Sequence, residues 1–455
     1  MASGARDLAR SSQRTSPLTA HGFFDTAGFS VVVGGTVTIP VIFSIAHDDV
    51  FALPKMALTA SLASLLAVLL VGHWLAGGRP MRRPTWLAIA LGSFAGWNLL
   101  AAWFAIDSWH ALVGEAYQYQ GLVASLAYGT FLIGAWSTVR TESRRGILLV
   151  GVAASAVVVA TYALLQRMGL DPIWSTLPRD RVFSTIGQAN ALAAYLVLVA
   201  PLVVVLAIRR GWRWRLAGLL ALIVSALAFT LSRGGFLGLA TVAIVLVLGA
   251  WRVRPHMSLS GRWLAASALI AIGAVVTAAS VPEMRAVVER VGARALLTAD
   301  LSEGSTRMHL DQWAVGAAIV ADHPVLGTGQ DTYVLMFDEY RDRVLAPDRA
   351  ALLSYFRPES PHNVYLATAA GAGLPALIAY LSVIGLVMAR AAHFLRAEVP
   401  APARLFAAAC LAAIAGHLVT DAFLTAETSG SVLFWIALGA GAALEAHAPR
   451  DVRRE

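Results

Sequence analysis

The residues most in need of a chemical explanation are arginines that interrupt apolar sequence. Arg233 sits in Thr230-Leu231-Ser232-Arg233-Gly234-Gly235, between two apolar stretches. An arginine at bilayer depth costs roughly 2.5–3.5 kcal/mol on insertion scales and turns toward a protein interior or an aqueous cavity. On spacing alone it reads equally well as an interfacial arginine snorkelling to headgroups. Arg179 and Arg181 precede the segment from Val182 to Asn190, and Arg307 opens an amphipathic stretch that also holds Leu310, Trp313, Ala314, Ala317 and Val320. Guanidinium groups grip phosphate bidentately and keep their charge. Several of them converging on one face of a membrane point to a lipid pyrophosphate as ligand. The remaining arginines between 285 and 357 lie among carboxylates and read as solvated surface charge.

His362, in Ser360-Pro361-His362-Asn363-Val364-Tyr365, stands where a long polar segment returns to apolar sequence. A neutral imidazole there could take a proton from an acceptor hydroxyl near neutral pH, with Asn363 orienting it or the acceptor. The alternative is a capping pair, in which Asn363 satisfies a helix start and the ring packs beneath the loop. Other polar groups carry less. His47, Asp48 and Asp49 are three adjacent residues that cannot all face one ion, and they read as a solvated turn. Gly327-Thr328-Gly329 is too short for a nucleotide fingerprint and reads as a turn. Asp107 and Glu115 flank Ser108-Trp109-His110, with Tyr117, Gln118, Tyr119 and Gln120 after them. Such aromatic and amide groups can line a sugar site or form an interfacial belt.

The elements that must position these groups are membrane helices. Of 455 residues, 58% are hydrophobic and 14% charged, and the mean hydropathy is +0.68, outside the soluble range. The net charge of +8 comes from arginine, since Lys55 is the single lysine, and its placement is not that of a nucleic-acid-binding tail. One cysteine, Cys410, excludes a disulfide framework and a cysteine zinc site. Apolar stretches fall near 27–46, 56–76, 86–105, 118–139, 146–166, 188–208, 216–231, 234–251, 263–281, 363–389, 405–424 and 430–445, and about 20 residues cross a bilayer. The expectation is an all-α polytopic membrane protein with about twelve spans. The first stretch lacks a small-residue cleavage site and reads as a retained span.

Counting lysine and arginine on alternate sides gives 22 on the side of both termini and 13 on the other, eight of those in one long loop. The positive-inside rule then makes both termini cytoplasmic. The chain divides into an N-terminal tail at 1–26, nine helices over 27–281, an outer loop at 282–362, three helices over 363–445 and a C-terminal tail at 446–455. Helical spacing after Ser305 and a second run from Thr332 to Val344 predict that the loop folds as a small helical cap.

In this order the motifs resemble the bacterial O-antigen ligase and polymerase family of polytopic glycosyltransferases, over about 50 to 390. The resemblance rests on Phe51-Ala52-Leu53-Pro54-Lys55, on Ser108 to Gly114 with Gln120-Gly121-Leu122, and on Leu164-Leu165-Gln166 with Gly169-Leu170-Asp171-Pro172. It continues through Arg181 to Asn190, Ser232-Arg233-Gly234, Arg307 with Trp313, Asp322 to Gly329, His362-Asn363, and Gly371, Gly373 and Leu374. The resemblance implies a GT-C-type enzyme of the bacterial inner membrane with its active site facing the periplasm. It would move a glycan from undecaprenyl pyrophosphate to a glycolipid such as lipid A-core, or to a growing polysaccharide, by an inverting mechanism with no cofactor and no metal. Arg233, Arg307 and His362 match the family's functional arginines and histidine. Arg181 and Asn190 are similar to the family's segment before the sixth helix, and with Arg179, Asn363, Tyr365 and Trp313 they are the candidates for holding pyrophosphate and glycan. The chain departs from common patterns in Gln188-Ala189-Asn190, where Asn-Pro-Asn is frequent, and in Ala372, where an acidic residue often stands.

Two other functions fit the same pattern less well. A repeat-unit polymerase would use the same donor and differ only in acceptor. A transporter of lipid-linked oligosaccharide would need comparable halves, interrupted helices and ionisable residues at mid-helix, of which His417 and Asp421 are the clear instances.

Overall fold

The computed structural model describes residues 20–78, 85–174, 181–211, 213–253, 304–355, 357–395 and 399–444. The expected span at 263–281, Arg179, residues 282–303 and most of both expected tails lie outside them. The described residues form fifteen helices and no strand. In chain order these are α1 (Ala20–Thr38), α2 (Ala52–Leu75), α3 (Thr85–Trp103), α4 (Ser108–Val113) and α5 (Leu122–Thr138). They continue with α6 (Glu142–Arg167), α7 (Ala189–Arg210), α8 (Arg213–Thr230), α9 (Arg233–Val253) and α10 (Gly304–Asp322). The last five are α11 (Tyr333–Val344), α12 (Pro347–Ser354), α13 (Val364–Phe394), α14 (Ala401–Asp421) and α15 (Thr428–Ala442).

Every apolar stretch within the described residues is largely helical. α2, α3, α6, α7, α13 and α14 are long and apolar enough to cross a membrane, and α5, α15 and the apolar parts of α8 and α9 are shorter. The core is built around α7, buried almost throughout from Ala191 to Ala207, and around α15. Helices apolar on every side belong in such an interior. The outer helices instead expose large apolar side chains, among them Val68, Val71 and Trp74 on α2, Trp86 and Trp103 on α3, and Ile244, Val247 and Leu248 on α9. A broad apolar belt of this kind fits lipid rather than water. This is the architecture of a multi-pass membrane protein.

The first helix stops at Thr38, short of the apolar stretch's end at 46, because Pro40 disfavours helical geometry at Ile39. Its partner α2 is started by Asp49, whose carboxylate accepts from the amides of Phe51, Ala52 and Leu53. α7 closes on Gly211, whose φ of +65° supplies the left-handed turn that ends many helices.

α13 is broken. Gly373 has φ +79° and ψ 169°, and Pro375 follows, so a short N-terminal half-helix meets a longer C-terminal one. The break is filled by backbone from Pro324 to Gly329: Thr328 N donates to Ala370 O (2.9 Å), Gly329 N to Gly371 O (2.8 Å) and Leu374 N to Pro324 O (2.8 Å). A side chain at Gly373 would collide with the Val325 carbonyl. The expected turn at Gly327-Thr328-Gly329 is therefore also the seam between the cap and the bundle.

α10, α11 and α12 pack around Val315, Ile319, Tyr333, Phe337, Tyr340 and Leu353 as a small core of their own. The two runs that predicted helices in the outer loop coincide with α10 and α11. Segments assigned to the outer side meet each other: Thr185 Oγ1 bonds Pro40 O (2.7 Å), Gln118 Nε2 bonds Glu359 Oε2 (3.0 Å), and Asp331 Oδ2 accepts from Glu115 N (2.7 Å) and Gln120 N (3.0 Å). At the other end Arg144 pairs with Asp25 (2.6 Å) and Arg209 with Glu142 (2.5 Å).

Candidate active site

His362 is placed by the return of the chain from the cap to α13. Its φ of +49° is unusual for a residue with a side chain, and such geometry persists only where the surroundings enforce it. His362 N donates to Ser360 Oγ (3.2 Å), and Thr425 Oγ1 lies 2.9 Å from His362 Nδ1 and also bonds Ser360 Oγ. Edge-on to the ring stands His309 of α10, with centroids 5.5 Å apart at 86°. Burial, with a smaller push from His309, lowers the His362 pKa to about 4, so the imidazole is neutral at pH 7.

Arg233 begins α9, after the turn at Leu231, whose φ is +51°. Its guanidinium donates to Thr306 Oγ1 at 2.5 Å. Thr306 and His309 lie three residues apart on α10, a rise of about 4.5 Å on one helix face. One face of α10 therefore touches both the guanidinium and the imidazole. Trp313, a further turn along, packs on Phe423 with ring centroids 5.9 Å apart, and Phe423 in turn covers Gly234.

Arg307 is 55% exposed, and its one close carboxylate among the described residues, Asp311, is 3.6 Å away. Arg349 holds that carboxylate more tightly, with Nε 2.8 Å from Asp311 Oδ2. The looser exposed pair contributes less than about 1 kcal/mol, so an anionic ligand can compete for Arg307.

Beside His362 is a pocket of about 420 Å³, lined by Asp49, Tyr117, Gln118, Gly187, Gln188, Arg357, Glu359, Thr425 and Glu427 among others. The pocket carries the carboxylates of Asp49, Glu359 and Glu427 together with Arg357, while Arg233 reaches α10 through Thr306.

Residues 218–381 match the family model described as O-antigen ligase. That segment belongs to the O-antigen ligase/polymerase family. A comparison with curated proteins finds no match. The O-antigen ligase segment contains Arg233, Thr306, Arg307, His309, Trp313, His362, Asn363 and Tyr365, whereas Arg181 and Asn190 precede it.

Relative to that segment the other predicted residues fall as follows. Arg181 donates to Thr230 O (2.6 Å) and to Asn190 Oδ1 (2.5 Å), tying the start of α7 to the end of α8 beside the Arg233 turn. Asn363 caps α13, its Oδ1 accepting from Leu366 N at 3.0 Å. Tyr365 donates its hydroxyl to Leu418 O at 2.6 Å, joining α13 to α14. These three have structural partners that position the ligase segment's arginine and histidine. Arg179 lies outside the described residues.

Three site residues escaped the sequence reading. Thr306 and His309 were detectable as the polar members at i and i+3 of the amphipathic run that starts near Arg307. Thr425, in a short connection between α14 and α15, carries no local signal and is found only by folding.

Among the described residues no group of histidine, cysteine and carboxylates is arranged to hold a metal ion. His47 bonds Ser44 Oγ at 3.1 Å, and Asp49 is occupied at the start of α2.

Proposed function

We propose that the chain is an inner-membrane glycosyltransferase of GT-C type, with about twelve spans and both termini cytoplasmic. It would move a glycan from undecaprenyl pyrophosphate onto a glycolipid such as lipid A-core, at the periplasmic face. The observation that carries this reading is the shared use of α10 by Arg233, through Thr306, and by His362, through His309. Family membership supports the glycan-transfer chemistry.

In this mechanism Arg233 and Arg307 hold the pyrophosphate and stabilise the charge that grows on the leaving phosphate. His362 accepts the proton of the acceptor hydroxyl as that oxygen attacks the anomeric carbon. The bond to the pyrophosphate oxygen breaks with its electron pair, and attack from the opposite side inverts the configuration. Thr425 and Ser360 hold the imidazole from its Nδ1 side and leave Nε2 for the acceptor. The charge stabilisation comes from arginine, so transfer would not require a metal.

The test is transfer by purified protein from an undecaprenyl-pyrophosphate oligosaccharide to separate acceptors, with and without chelator, read by the mass of each acceptor. Chelator-resistant modification of a lipid acceptor, lost in Arg233→Ala, is the expected result. Extension of the donor lipid itself would make the chain a polymerase. Movement of intact lipid-linked glycan across proteoliposomes, without any product, would overturn the transferase reading.

A further inference from the structure

Below the His362 pocket a second cavity of about 130 Å³ reaches into the bundle between α3, α5, α13, α14 and α15. Ser360 and Ala426 stand on the walls of both. Its polar wall is made of the carboxamides of Asn98, Gln120 and Gln330. The lining also has an aromatic surface, in which the rings of Phe94, Tyr380 and Trp435 lie 5.6–6.0 Å apart.

Two buried polar atoms in the lining have no hydrogen-bond partner among the described residues. Gln330 is 7% exposed and spends its Nε2 on Asn98 Oδ1 (2.6 Å) and Asn98 O (3.2 Å), which leaves Oε1 unpaired. His417 is 3% exposed, with Nε2 3.4 Å from Asp421 Oδ1 and Nδ1 unpaired. Unpaired buried polar atoms are costly, so an apolar occupant such as a lipid tail leaves that cost in place. An anion is opposed as well, because Asp331 and Asp421 line the cavity and neither arginine nor lysine does. An apolar cavity of roughly 150 Å³ holds a benzene ring, so the space suits one ring with its substituents directed to the mouth.

We infer that this cavity is a subsite for one neutral sugar ring, bonded at its hydroxyl or acetamido groups by Gln330 and His417 and stacked on Phe94, Tyr380 and Trp435. The inference rests on the reading of the outer pocket as a glycan site, and it excludes a phosphorylated sugar from the ring nearest His362. It also gives a role to Gln120 beyond a membrane-edge belt: its Oε1 accepts from Tyr128 at 2.9 Å and fixes the carboxamide at the cavity wall.

The test is saturation-transfer NMR on the full chain in nanodiscs, with glucose, N-acetylglucosamine and glucose 6-phosphate as probes, on the native protein and on Gln330→Met. Neutral sugars should give signal, at least tenfold stronger than the phosphorylated one, and Gln330→Met should reduce it at least tenfold. Equal signal from the phosphorylated sugar, or none from either neutral sugar, overturns the subsite. That comparison needs no variant, so it stands even if Gln330→Met fails to fold. Sugar binding without any glycan transfer would keep the subsite and overturn the transferase reading, whereas transfer without sugar binding overturns the subsite alone. In the transfer assay a raised KM for donor or for acceptor in Gln330→Met supports the subsite and identifies the source of the ring, and a KM unchanged for both overturns it.

Discussion

His309 and His362 meet edge to face, 5.5 Å between ring centroids, one from the cap and one from the start of α13. Burial holds His362 down to about pH 4 and His309 adds to that. Because the folded value lies below the ordinary histidine value, the folded protein binds this proton later than the unfolded chain does. Stability tied to this group therefore falls as pH drops from about 6.5 to about 4. His309→Asn should raise the His362 midpoint but leave it below 6.5, since burial is the larger cause. Histidine-selective NMR titration checks this; a midpoint unmoved by the substitution would show that the two rings are not electrostatically coupled.

Arg233 should be irreplaceable by lysine. Its guanidinium donates to Thr306 through one arm of a rigid planar fork that matches phosphate geometry, and a lysine offers a single point of charge. Losing one donor to developing charge costs about 10²–10³ in kcat, so Arg233→Lys and Arg233→Ala should both fall by about 100-fold or more. Thr306→Val, which removes only a positioning bond, should cost about tenfold. Initial rates of acceptor modification with saturating donor measure all three, and near-native turnover in Arg233→Lys would contradict the role.

The helices were legible in the sequence because lipid-facing and core-facing stretches are both apolar, and the helical runs at Arg307 and Thr332 were legible by period. Arg233 and His362 were legible as polar groups at membrane edges. Their meeting was not, because it runs through Thr306 and His309, two ordinary residues on a helix whose docking depends on long-range contacts. Neither was the seam at Gly373. A glycine followed two residues later by proline announces a break, but the strip at 324–329 that fills it is named by no local pattern. Arg181 was legible as a charge before α7, whereas its bonds to the Thr230 carbonyl and to Asn190 depend on the docking of α8 and carry no local signal.

Asn363 offers a direct separation of capping from acceptor binding. Its Oδ1 satisfies Leu366 N at the first turn of α13, and replacing such a cap with alanine costs about 1 kcal/mol. Asn363→Ala should lower thermal stability, while Asn363→Asp and Asn363→Ser should restore both stability and transfer. A variant Asn363→Ser that is fully stable but inactive would instead show that the carboxamide touches substrate.

Lys55, the chain's single lysine, is fully buried and donates to Ile42 O (3.1 Å) and Thr185 O (2.5 Å). It therefore joins the connection between α1 and α2 to the strip that leads into α7. Immediately after Thr185, Gly187 is pressed against Phe51, and both line the His362 pocket. Lys55→Met keeps the volume but strands two buried carbonyls, at about 1–3 kcal/mol each. Lys55→Arg keeps the charge but forces a wider group into a closed space, costing about 1–3 kcal/mol. Both should lower Tm, and the folded fraction should show a raised KM because the pocket wall has lost its tie. Measuring Tm and KM on the same preparations decides the matter: a lower Tm with unchanged KM would confine Lys55 to stability, and an unchanged Tm in Lys55→Met would remove the tie altogether.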